Sequence, residues 1–252
     1  MITARRQLLT AAALLGAALA TWIVTVQRMR GMDAGPGTDL GGLGFFLGVW
    51  VTMMAAMMLP SAAPFVLFHA RVARQRTTGI FVVGYLAAWT AYGLAAYGVY
   101  RAIHRVDPAF LSWRREGPIV AGLAIVAAGL YQLTPLKQVC LRHCRSPLHF
   151  LLHDWRDGRL GALRMGAEHG AYCVGCCWGL MVILFAVGVM SLLWMAVVAA
   201  VIFAEKVLPF GGRLPAAVAV GFVALGIWIA AAPASVPGLT QPGSAPAMHM
   251  SG

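Results

Sequence analysis

Of the 252 residues, 60% are hydrophobic and only 11% charged, against roughly 25% charged in an ordinary soluble domain. Nineteen Lys and Arg against eight Asp and Glu give a net charge of +11. The basic residues lie in connections between apolar segments, which argues against a nucleic-acid partner and for contact with lipid headgroups.

The apolar stretches approach the ~20 residues that cross a ~30 Å hydrocarbon layer, and strand-like alternation is absent. An all-α, polytopic transmembrane helix bundle is therefore predicted, with about seven spans. They fall at residues 8–26, 43–68, 79–100, 117–136, 172–190, 192–208 and 214–232, the fifth and sixth nearly fused at Ser191. The first span has a competing reading as a cleaved secretory signal, because Arg5 and Arg6 precede an apolar run through Ala18, Leu19 and Ala20. Its continuation through Trp22 and Ile23 to Val26 favours a span. With the N-terminus inside, thirteen of the nineteen basic residues fall on the cytoplasmic side, so a multi-pass protein of the cell (cytoplasmic) membrane is expected. Residues 1–232 form one helical domain on this reading, and 233–252, rich in Pro, Gly, Ser and Ala, a disordered tail. The longest connection, 137–171, is expected to carry a short amphipathic piece around Trp155, Arg156 and Arg159.

In the second span Met53, Met54, Met57 and Met58 form two pairs at four-residue spacing ahead of Pro60 and Pro64. Thioethers bind Cu(I) and hardly Zn(II), although methionine is also ordinary packing material in apolar helices. Met53, Met57 and Met58 are the candidates from this group.

All five cysteines fall in two clusters: Cys140 and Cys144 after the fourth span, and Cys173, Cys176 and Cys177 at the start of the fifth. Three- and four-residue spacings put each cluster on one helical face. The connection between them starts and ends at one membrane side, so the two clusters can meet there. Three uses compete: a soft metal ion, redox-active thiols, and small apolar packing. His143 and His169 adjoin the clusters as further candidate ligands, or as polar residues meeting headgroups. Gly175 and Gly179 permit close helix approach beside the cysteines. Glu205 and Lys206 end the sixth span; adjacent residues do not face each other, and an anchoring role at the interface is expected of them.

Three strings together, MMAAMMLPSAAP (53–64), CLRHCRSPL (140–148) and HGAYCVGCCWGLM (169–181), resemble the family of predicted metal-binding integral membrane proteins. The Glu205–Lys206 pair is similar to that family as well. The resemblance implies metal binding with a link to copper supply for copper-dependent oxidases, and it carries over to the cysteines, His169 and the methionines. One departure is Ser191, where an amide side chain is expected.

The sequence thus points to a protein that binds Cu(I), or else Zn(II), and delivers or moves copper toward copper-dependent enzymes or metallochaperones. A membrane thiol–disulfide oxidoreductase and a zinc-stapled structural protein are the alternatives. No catalytic triad, HExxH pattern or phosphate-cradling loop is present, so an enzyme is not expected.

Overall fold

The computed structural model describes residues 2–29, 40–73, 77–106, 116–148, 155–187, 191–208 and 212–237. Among them are eight α-helices and no strand: α1 (Ile2–Met29), α2 (Leu43–Val72), α3 (Thr78–Val106), α4 (Gly117–Tyr131), α5 (Pro135–Arg145), α6 (Gly158–Val187), α7 (Leu192–Val207) and α8 (Arg213–Ala231). A 3-10 turn, Pro233–Ser235, follows, and the rest of the expected tail, from residue 238, lies outside the described residues.

Each of the seven predicted apolar segments overlaps a helix, the fourth running across the break between α4 and α5. Five helices, α1, α2, α3, α6 and α8, are long and apolar enough to cross a membrane, and α4 with α5 makes a sixth if the pair is one broken span. Helix α7 has 16 residues, about 24 Å at 1.5 Å per residue, shorter than a hydrocarbon layer. Outward-facing Leu8, Leu15, Leu19, Val83, Leu123 and Val220 are all more than half exposed, the apolar surface that lipid contact requires.

Helix α2 is, with α6, the most buried of the long apolar helices. Met53 to Leu59 are buried without interruption, and a helix apolar on every side is one enclosed by others. Pro60 and Pro64 sit inside it; proline has no N–H, so the carbonyls four residues before each lose their helical donors.

Helices α4 and α5 meet at a bend of 63°. Thr134 Oγ1 caps α5 by accepting from Lys137 N at 3.4 Å, and Pro135 occupies the first turn, where its missing N–H is harmless. The buried residues of α5 are Lys137, Cys140, Leu141 and Cys144, the i, i+3, i+4, i+7 stripe of a helix with one inward face.

Helix α6 begins at Gly158, fourteen residues before the predicted span, so the end of the long connection forms its first turns. Of the expected amphipathic piece Arg159 lies on it, Trp155 and Arg156 precede it, and 149–154 lie outside the described residues. Arg164 and Arg156 reach Glu168 at 3.0 and 3.2 Å; pairs this exposed add little. Close packing on α3 holds this extension. A Cβ on Gly84 would strike the carbonyl of Leu163, and one on Gly166 the carbonyl of Phe81, so the backbones touch where no other residue fits.

Candidate functional site

The inward stripe of α5 faces the middle of α6. Cys176 Sγ lies 3.7 Å from Cys144 Sγ and 3.3 Å from Cys177 Sγ. Its thiol also donates to the carbonyl of Cys173 at 3.2 Å. Cys140 lies across from Gly175, where an added Cβ would come 2.7 Å from its sulfur. The glycine is therefore what lets α5 approach. All five cysteines are buried, free thiols. Cys173, Cys176 and Cys177 sit halfway along α6 rather than at its start, because the helix begins earlier than the apolar run.

Cys173 makes different contacts. Its sulfur is 2.8 Å from Lys206 Nζ and 3.0 Å from the Tyr85 hydroxyl, and Lys206 Nζ also donates to Ser61 Oγ at 3.3 Å. One residue earlier, Glu205 Oε2 accepts from Lys137 Nζ at 2.6 Å, with both side chains 1% exposed or less. Lys137 also donates to Gln132 Oε1, and Arg145 Nε donates to the Glu205 carbonyl at 2.6 Å. Glu205 Oε1 has no hydrogen-bond partner among the described residues.

The interface role expected of Glu205 and Lys206 is thus replaced by burial. Successive helical residues point about 100° apart, so Glu205 turns to α5 while Lys206 turns to α2, α3 and α6. Each finds a partner there that offsets part of its desolvation.

The histidines are held by rings. His169 is buried in an aromatic stack, its ring 3.9 Å from Phe65 and 5.6 Å from Tyr85. His143 stacks flat on Tyr172 at 4.2 Å and its Nδ1 is 2.9 Å from the Val139 carbonyl. Met53, Met57 and Met58, each 2% exposed or less, share one continuous core with all five cysteines and Met181.

Among the described residues no three His, Cys, Asp or Glu side chains form a ready-made metal-holding group; the sulfur contacts are pairwise. Those pairs are close to the roughly 3.8 Å that separates two thiolates around a tetrahedral ion at about 2.3 Å. The donor set is soft sulfur, the type suited to Cu(I) or Zn(II).

Sequence reasoning took Lys137 for a loop charge and gave no role to Gln132, Tyr85 or Ser61. Lys137 was findable, since it precedes Cys140 and Cys144 at spacings of three and seven. Tyr85 and Ser61 carry no local signal.

Fold and site together define a polytopic helical protein, with helices of membrane-crossing length, whose core gathers thiols, thioethers and buried ammonium groups. Residues 47–229, more than half of the chain, match the copper chaperone family PpoB2, and the chain belongs to that family. No curated protein and no solved structure matches it.

Proposed function

We propose that the chain is a membrane-embedded copper carrier that takes Cu(I) as cargo on the thiols of Cys140, Cys144, Cys173, Cys176 and Cys177. It then passes the ion toward copper-dependent enzymes beyond the cytoplasm. The observation that carries this reading is the approach of Cys144 Sγ, on α5, to within 3.7 Å of Cys176 Sγ on α6, itself 3.3 Å from Cys177 Sγ. Buried thiols collected from two separate helices are what a soft monovalent ion needs and what a hard ion refuses. Membership of a copper chaperone family supports the choice of copper and a carrier rather than a catalyst.

Met53, Met57 and Met58 line the same core and offer thioethers along which a departing ion exchanges sulfur partners. His169 and His143, engaged with aromatic rings, are kept outside the thiol set. The excess of basic residues in alternate connections favours a cytoplasmic N-terminus on this reading.

The test is the metal content of full-length protein purified without chelator, wild type beside Cys144→Ser and Cys176→Ser. Stoichiometric copper in the wild type, lost at least ten-fold in both variants, is the expected result. Zinc in place of copper, or metal-free protein with a titratable disulfide, would replace this reading with a structural staple or a thiol-exchange protein.

A further inference from the structure

The carrier reading leaves the buried ammonium of Lys206 unexplained. Lys206 is 8% exposed. A lysine in an apolar bundle costs several kcal/mol unless it is compensated, yet its neighbours here are a thiol at 2.8 Å and a hydroxyl at 3.3 Å. Near this part of the core lie Lys137 and Glu205, which neutralise each other at 2.6 Å, Arg145, whose Nε is on the Glu205 carbonyl, and the His169 ring, stacked between Phe65 and Tyr85. Lys206 therefore brings one fixed positive charge to the sulfur cluster.

Binding Cu(I) between two thiolates gives a complex of net charge −1. The two thiol protons pass to water, two Cu–S bonds form, and no electron moves. In a medium of low dielectric such an anion needs one counter-cation nearby. We propose that Lys206 is that counter-cation: its charge balances a two-coordinate copper complex formed by Cys173 with Cys176 or Cys177, and so makes the site prefer a monovalent ion over a divalent one. This inference rests on the copper reading above. Cys173 is the natural first ligand because its sulfur already faces the ammonium, with the Tyr85 hydroxyl at 3.0 Å steadying it.

The geometry sets the size of the effect. With about 2.3 Å from sulfur to ion added to the 2.8 Å from Nζ to sulfur, ion and ammonium lie within ~5 Å. At an effective dielectric of ~20 that separation corresponds to roughly two to three decades in affinity per unit of charge.

A pair of ions with the same coordination preference and different charge isolates this effect. Hg(II) also takes two thiolates in a line, but its complex is neutral and needs no counter-cation. Full-length wild type, Lys206→Gln and Lys206→Arg are therefore compared for Cu(I) and Hg(II) affinity by competition against a small dithiol. Lys206→Gln, which keeps a donor and loses the charge, is expected to lower the ratio of Cu(I) to Hg(II) affinity by roughly a hundred- to a thousand-fold, and Lys206→Arg to restore it. Equal losses for both ions, or an unchanged ratio, overturn the counter-cation role while leaving the copper reading intact. A wild type that fails to bind Cu(I) sinks both. X-ray absorption of the copper-loaded wild type tests the same proposal without any variant: a two-coordinate sulfur shell supports it and a four-coordinate shell overturns it.

Discussion

Removing the carboxylate of Glu205 should unfold the protein far more readily than removing the whole Lys137–Glu205 pair. The two side chains meet at 2.6 Å and are 1% exposed or less, so Glu205→Leu leaves the Lys137 ammonium in the core with Gln132 as its remaining partner. Breaking one side of a buried pair costs about 3–5 kcal/mol, whereas replacing both sides by apolar residues of similar volume is often neutral or stabilising. Glu205→Leu alone is therefore expected to cost about 4 kcal/mol, near a thousand-fold in the folding equilibrium, and Lys137→Met with Glu205→Leu about 1 kcal/mol or less. The orphan Oε1 of Glu205 adds to the case, since its desolvation is uncompensated in the wild type and disappears in the double variant. Equilibrium unfolding in mixed detergent micelles, run as a double-mutant cycle, measures the coupling directly. Additive costs, or a Glu205→Leu loss below about 1 kcal/mol, would show that the pair is hydrated and not the internal clamp between α5 and α7.

Gly175→Ala should place a methyl 2.7 Å from Cys140 Sγ and prise α5 from α6, costing about 1–3 kcal/mol of stability; copper stoichiometry, read on the same samples, is expected to fall because Cys144 moves away with α5. Met57→Leu with Met58→Leu conserves volume and should cost less than about 1.5 kcal/mol. Copper loading is expected to survive it while copper transfer to an acceptor slows, and an unchanged transfer rate would remove the thioether route.

The positions of the apolar helices were legible because bilayer thickness fixes the length of an apolar run, and that length survives any detail of packing. The start of α6 was not. Arg159, Arg164 and Glu168 beside Gly158, Gly161 and Gly166 read as a polar, glycine-rich connection, and glycine lowers intrinsic helix propensity. The segment is helical because Gly166 on it and Gly84 on α3 let the two backbones lie together. That gain belongs to the pair of helices and is invisible in either one.

The site divides along the same line. Cysteines three and four residues apart announce a shared face from local geometry alone, and the Cys144–Cys176–Cys177 approach follows once α5 and α6 are neighbours. The charges could not be read that way, since a lysine at the end of a span is ordinarily a solvated anchor. Glu205 and Lys206 become internal because Lys137 comes from α5 and Cys173 from α6, 68 and 33 residues away in the chain. One two-residue step on α7 thus ties both sulfur-bearing helices to a third. A change at Glu205 should consequently disturb the thiols of α5 before those of α6, and a change at Lys206 the reverse.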